Sequence, residues 1–492
     1  MNNLVIMPVV IPVFSGVLLL IFRKKILLQR TVSLLSVVLI AVVSMVLIGQ
    51  IYRGGIQTLQ LGNWQAPFGI SMVADMFSML LVFTTSIVAV CCLWYAFRSI
   101  GKKRELFYFY PLFLFLIAGV NGSFLTGDIF NLFVCFEVML IASYVLISLG
   151  GTKIQLRETI KYIVINMISS SLFLVAVAYL YRVLGTLNFA HLSVRVAEAG
   201  QPGILTAIAI MFLIVFSLKA GLFLFFWLPG SYSAPPAAVA AIFSALLTKV
   251  GMYSIIRLFT LVFYHEPEVT HFFIGILAAL TMILGAVGAV SYSDIKQILT
   301  YNVIIGVGFI LAGLASFTSA GMTGTLYYFI HDMIVKALIF LLSGTIIYIY
   351  GSSQLPKMSG LIRIYPYLGI MFFISVLSIA GLPPLSGFLG KIFITEGTFR
   401  AGYVWLGVVG LITSLAVLYS VMKIFMKAFW GYTEWTEEEL NSPKGLLFPM
   451  GILTFASIFL GLGAEWINEY VDIALQTLMN PNIYIEAVLQ RS

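Results

Sequence analysis

The chain has 492 residues, of which 61% are hydrophobic and 9% charged, with a mean hydropathy of +1.07. Apolar content on that scale exceeds what a water-soluble fold carries, and the runs are long enough to cross a bilayer as helices, which excludes a soluble enzyme and predicts an all-α, polytopic membrane protein. The net charge of +8 is scattered over short loops rather than gathered on one surface, so it reads as a topology signal and not as nucleic-acid binding.

Hydropathy predicts about fourteen transmembrane helices, near residues 4–22, 32–51, 71–97, 107–125, 128–149, 159–182, 203–228, 235–262, 271–291, 297–315, 321–350, 366–395, 403–427 and 445–466. The first run has no basic residue ahead of it and no cleavage pattern behind it, so it is expected to stay as an uncleaved span. The loops reached after odd-numbered spans hold clusters such as Arg23-Lys24-Lys25, Lys102-Lys103-Arg104 and Lys153 to Lys161, with Lys444 also on that side. The opposite side holds Arg53, Arg182, Arg195, Arg400 and Arg491. By the positive-inside rule both termini are expected on the non-cytoplasmic side of a bacterial cell membrane. The longest polar stretch, 430–444 with its Glu437-Glu438-Glu439 run, is a solvated loop in this scheme, and the tail beyond Trp466 is partly amphipathic helix.

Cys91, Cys92 and Cys135 all lie in apolar runs, and His191, His265, His271 and His331 lack metal-ligand spacing. With no CxxCH and no CxxC the chain offers no expected haem, cluster or zinc ligands, so no cofactor and no metal site are expected and any redox chemistry belongs to another polypeptide.

Spans four to eight and nine to thirteen form two consecutive groups of five. Because five is odd, the second group runs inverted relative to the first, a recurring transporter design with its site at mid-membrane. The expected divisions are an N-terminal three-helix segment (1–106), the two inverted five-helix repeats (107–262 and 263–430), and a loop, last helix and tail (431–492). Both fourth helices carry breakers: Gly221 with Trp227-Leu228-Pro229 in the first, Gly381-Leu382-Pro383-Pro384 and Gly387 in the second. Prolines inside a span free carbonyls that need new partners, as in helices that line hydrated cavities. Pro235 and Pro236 read as helix punctuation.

Lys219, Lys249, Arg257, Lys336 and Lys391, with Glu137 and Asp332, fall inside spans. A charge at that depth costs roughly 2.5 to 3.5 kcal/mol or more, so each is a functional candidate by default. Burial disfavours both ammonium and carboxylate, and an ion pair that opens and closes would load and unload a proton. Glu137 with Lys219 is the expected first pair, Lys249 the next acceptor, and Lys391 the end of the line. Asp332 and Lys336, four apart with the acid towards the N-terminus, suit a pair on one helix face; it is either part of the relay or a static tie between helices. His331 is either a satisfied core histidine or a possible carrier. Arg257, near a span end and unable to deprotonate in practice, suits snorkelling or a structural role. Asp75 and Asp128 suit solvated or capping positions.

The stretch Asp128-Ile-Phe-Asn-Leu-Phe-Val-Cys-Phe-Glu137-Val-Met, Lys219-Ala-Gly-Leu-Phe, Ser244-Ala-Leu-Leu-Thr-Lys249-Val-Gly, Ser293-Asp-Ile-Lys-Gln, Lys336-Ala-Leu-Ile-Phe-Leu and Gly381-Leu-Pro-Pro-Leu-Ser-Gly-Phe-Leu-Gly-Lys391 occur in this order. Together they resemble the antiporter-like subunits shared by respiratory complex I, membrane-bound hydrogenases and Mrp-type cation/proton antiporters. Within that family Trp227-Leu-Pro-Gly-Ser-Tyr232-Ser-Ala-Pro-Pro and Lys391 look like the D-type subunits of Mrp-type Na+/H+ antiporters. The resemblance implies proton transfer through Glu137, Lys219, Lys249, Lys336 and Lys391. It also implies Glu137 close to a neighbouring subunit and work inside a hetero-oligomeric membrane complex that exchanges protons for cations such as Na+. Asp332 stands where many relatives have histidine, so the relay there passes through Asp332 or His331. Phe225-Phe226 occupy places where relatives often have a histidine. The rival reading is a proton-pumping arm of a redox complex, and a third is a scaffold whose charges are inert pairs.

Overall fold

In the computed structural model, residues 2–432, 440–443 and 445–490 are described; the Glu437-Glu438-Glu439 run, Lys444 and Arg491 lie outside them. The described chain runs through α1 (Met7–Ile21), α2 (Ile26–Gly54), β1 (Gln57–Gln60), β2 (Ser71–Ala74), α3 (Met76–Ser99), α4 (Lys102–Glu105), α5 (Phe109–Leu125), α6 (Ile129–Ser148), α7 (Lys153–Leu184), α8 (Phe189–Ala199), α9 (Ile204–Ala220) and α10 (Leu228–Ser233). It continues through α11 (Ala237–Leu261), α12 (Pro267–Ser291), α13 (Ile295–Ser316), α14 (Ser319–Tyr350), α15 (Pro366–Ala380), α16 (Ser386–Arg400), α17 (Val404–Ala428), α18 (Leu447–Leu462), α19 (Ala464–Met479) and α20 (Pro481–Leu489).

Among the described residues ten helices are long and apolar enough to cross a membrane, or eleven if α18 and α19, bent by 79°, count as one. The shortfall from about fourteen has a local cause in two places. Helix α9 has 17 residues and stops at Gly221, and α15 has 15 and stops at Gly381, both glycines in the left-handed region. At 1.5 Å per residue these reach about 26 and 22 Å, short of a ~30 Å hydrocarbon core. After each stop the chain starts a new helix, α10 or α16, so 203–228 and 366–395, the two spans expected to carry breakers, are broken helices. The third short apolar helix is α5.

Other starts follow from capping chemistry. Asp75 and Ser78 form a capping box on α3, Thr152 and Gln155 one on α7, and Asp128, Asp294 and Thr318 cap α6, α13 and α14. The all-α expectation misses one feature: between α2 and α3 the chain leaves the apolar layer and pairs β1 with β2, antiparallel, Gln57 opposite Ala74. Asn2 N–H donates to the Thr58 carbonyl and Gln60 Nε2 to the Val488 carbonyl, so the hairpin gathers both chain ends on one face.

Helices divide into a shell and a centre. The apolar window of α1 is 28% buried, whereas that of α11 is 100% and that of α13 94% buried. Helix α11 lies against α14, α9 and α3, and α14 against α16 and α13. Close approach needs small residues where lipid offers no hydrophobic drive. A Cβ on Gly251 would lie 2.6 Å from Ala220 N across α11 and α9, and one on Gly324 2.5 Å from Ile394 N across α14 and α16. Lys219, Lys249, Asp332, Lys336 and Lys391 lie on these central helices, and Glu137 lies on α6 at their edge.

Candidate functional site

Glu137 lies on α6, half-buried, on the margin of a helix face that also exposes Val134, Val138, Ile141 and Val145. The expected direct pair with Lys219 is corrected to a bridged one. Lys219 Nζ donates to Ser170 Oγ at 3.1 Å, and Ser170 Oγ donates to Glu137 Oε1 at 2.5 Å. Lys219, 4% exposed, sits in the last turn of α9 with its ammonium 4.9 Å from the Phe136 ring centre. The chain beyond it turns at Gly221 and is held by Trp227 Nε1 donating to the Leu218 carbonyl at 2.9 Å. A cavity of about 10 Å³ lined by Tyr162, Asn166, Trp227 and Leu247 adjoins Lys219, room for about one water. A hydroxyl that accepts from an ammonium and donates to a carboxylate has the hydrogen bonds that passing a proton between them requires.

At the centre, Asp332 of α14 joins two lysines. Lys249 Nζ of α11 is 2.6 Å from Asp332 Oδ2 and also donates to the Ser244 carbonyl at 2.8 Å; Lys336 Nζ is 3.5 Å from Oδ1 and donates to the Asn302 carbonyl at 2.8 Å. All three side chains are at most 2% exposed. The expected i,i+4 pair is present, but its shorter partner comes from another helix. Lys249 is therefore not an isolated acceptor for Lys219. Among the described residues no hydrogen bond or ion pair joins those two lysines; Leu247 of α11 closes the Lys219 cavity while Lys249 turns to α14.

Room for the carboxylate is made by α13. A Cβ on Gly306 would stand 2.8 Å from Asp332 Oδ1 and 3.2 Å from its carboxyl carbon. Gly306→Ala is expected to push the carboxylate off at least one lysine and to cost transport several-fold while the complex assembles. Transport assayed beside subunit recovery from the membrane tests this, and unchanged transport would mean that the carboxylate has slack.

The second break presents Lys391 on α16. Its Nζ donates to the Ala380 carbonyl at 3.0 Å, one of the acceptors freed where α15 ends, and lies 5.0 Å from the Phe309 ring centre. His331 turns to the same break: Nδ1 is 2.7 Å from Ser386 Oγ, which is 3.2 Å from Ser378 Oγ, itself 2.9 Å from Ser457 Oγ. His331 is thus buried and hydrogen-bonded to a serine cluster, not to Asp332.

Arg257 does not snorkel. It is buried, with NH2 2.7 Å from Asp75 Oδ2, donates to Tyr253 Oη from Nε at 3.2 Å, and is faced by the rings of Phe77 and Tyr484. Asp75 is a buried cap rather than a solvated one. Together they tie α3, α11 and the C-terminal α20.

Three further polar groups stand beside these residues without being singled out by intramembrane charge. Ser170 stands in a Ser169-Ser170-Ser171 run inside an apolar span, a signal available in the sequence. Glu158 of α7, buried and paired with Lys161 at 3.2 Å, and Lys296 of α13, whose Nζ donates to the Ser233 carbonyl at 3.1 Å, face α10 from two sides. Both were absorbed into loops by hydropathy alone.

Helices enclosing a row of acids and lysines, two of them broken beside a lysine, define the class: a polytopic membrane subunit with its charged groups held inside the bundle. Residues 126–418 match the family described as NADH:quinone oxidoreductase/Mrp antiporter, TM, and the chain belongs to that family. Over 492 residues, covering 100% of both chains, it is 52% identical to the D-type subunit of the Na(+)/H(+) antiporter of Bacillus subtilis (strain 168) and equally to that of Alkalihalophilus pseudofirmus. Its fold resembles a chain of the Mrp complex from Dietzia sp. DQ12-45-1b, with a TM-score of 0.91 at 28% identity over 99% of each chain. A chain of respiratory complex I from Thermus thermophilus matches with a TM-score of 0.84 at 23% identity over 97% of this chain and 100% of that one, a likeness of fold alone.

Proposed function

We propose that this chain is the proton-moving D-type subunit of a multisubunit Na+/H+ antiporter in a bacterial cell membrane. Its route runs through Glu137, Ser170 and Lys219, then the Lys249, Asp332 and Lys336 group, then Lys391. The observation that carries this reading is the bridged Glu137–Ser170–Lys219 contact in a full-length relative of D-type antiporter subunits. Proton transfer needs donors and acceptors whose partners can change, and both broken helices leave a lysine beside a turn rather than locked in a regular ladder. Full-length identity of 52% to antiporter subunits, against 23% to the complex I chain, favours antiport over a redox pump.

The same reading includes fourteen spans, counting each broken helix as one, and two inverted groups of five. The divisions at 106, 262 and 430 fall just after α4, α11 and α17. Both termini lie on the non-cytoplasmic side, and the exposed apolar strip around Glu137 faces a neighbouring subunit. Vesicles carrying the whole complex test it. Glu137→Gln is expected to abolish Na+-dependent proton movement while the subunits still co-purify; a Na+-insensitive complex with quinone-reducing activity would overturn the assignment.

A further inference from the structure

A cleft of about 620 Å³ opens on the outside of the bundle, away from the relay, between α2, α3, α14, α18 and α19. Its walls include Gly49, Phe83, Ile330, Ile334 and Phe459, and its mouth carries Tyr52 and Arg53 in the last turn of α2. The size is within the ~300–1,000 Å³ of ordinary small-ligand sites. Two observations say what fills it. First, Gly49 has nothing within 4 Å of the position its Cβ would take, so the cleft is open space against the apolar face of α2, one turn below Arg53. Second, its mouth is built like a headgroup zone. Tyr52 and Tyr470 lie 5.6 Å apart and Trp466 is exposed beside Phe459, an interfacial belt of aromatics. Arg53 has no ion pair with a described residue, and Glu469 accepts from the Tyr52 hydroxyl at 3.3 Å.

We propose that this cleft binds one phospholipid, with an acyl chain along Gly49 and Phe83, the phosphate on Arg53 and a headgroup ammonium on Glu469. A cation and a carboxylate at one mouth suit a zwitterionic headgroup, so phosphatidylethanolamine is the expected species. The site touches the relay from behind: Ile334 is two residues from both Asp332 and Lys336 and so lies on the opposite side of α14.

The test uses the purified complex in mild detergent and a phosphatidylethanolamine carrying a photoactivatable group on its acyl chain. Adducts are expected on the α3 and α14 segments holding Phe83 and Ile334. Gly49→Trp, whose Cβ has open space around it and whose ring would enter the cleft, should lower them by about tenfold or more at unchanged thermal stability. Arg53→Gln, which leaves the cleft intact, should weaken labelling even if the tryptophan variant fails to assemble. Glu469→Gln should erase the preference over a phosphatidylglycerol probe. Labelling that ignores both Gly49→Trp and Arg53→Gln, or adducts to another subunit's helix seated in the cleft, would overturn the proposal. A wild-type preference for phosphatidylglycerol would overturn the headgroup assignment.

Discussion

Lys219→Ala is expected to reduce Na+-driven proton movement by about 10²-fold or more, the scale on which a positioned proton-transfer group acts, with the complex still assembled. The argument rests on what touches the ammonium. Its hydrogen-bond partner is the Ser170 hydroxyl, which passes on to Glu137, and its other neighbours are the Phe136 ring and a one-water cavity. Removing the amine deletes the ionisable group on that side of Ser170 and leaves a glutamate that is only half-buried and keeps the Ser170 hydroxyl as its donor, so folding suffers less than transport. Lys219→Arg separates charge from proton exchange. Arginine keeps a cation near Ser170 but does not release its proton in a protein. It should therefore fail nearly as badly as alanine. Fluorescence quenching of a pH-sensitive dye in everted vesicles measures both variants, with immunodetection of the partner subunits as the assembly control. Normal transport in the arginine variant would remove Lys219 from the proton route and favour a static role for the pair.

Asp332→Ala is expected to be the most destabilising single change in the membrane core. Lys249 and Lys336 both point at this carboxylate, at 2.6 and 3.5 Å, and neither has any other acidic partner within ion-pair distance among the described residues. Taking away one partner of a buried ion pair costs about 3 to 5 kcal/mol, because the other charge stays in low-polarity surroundings without compensation, and here one carboxylate serves two ammonium groups. The double change Asp332→Leu with Lys249→Met removes a charge of each sign and replaces them with apolar volume. It should recover much of the stability and none of the transport. Thermal unfolding of the detergent-solubilised complex reads the first effect and the vesicle assay the second. An Asp332→Ala complex as heat-stable as the parent would show that the lysines already have other compensation, and a transporting double variant would take Asp332 out of the relay.

Apolar length, basic loops and stray charge are properties of short stretches of chain, and each has one reading in a bilayer. For that reason the membrane class, most helix positions, the two breaks and the placement of Glu137, Lys219, Lys249, Lys336 and Lys391 on helices of the bundle were legible in the residues alone. Asp332 with Lys336 was legible too, because four residues on a helix bring side chains to one face. What could not be read was which charge meets which across helices, since that depends on packing over long separations. Only the tertiary structure inserts Ser170 between Glu137 and Lys219, turns Lys249 to Asp332, gives His331 to Ser386 and buries Arg257 against Asp75. It also assigns a purpose to Gly306, which as a letter in an apolar run has no chemistry and in the bundle is the space occupied by the Asp332 carboxylate. A lysine in a span states that a partner must exist, because bare charge at that depth costs too much. Naming the partner required the helices to be set side by side.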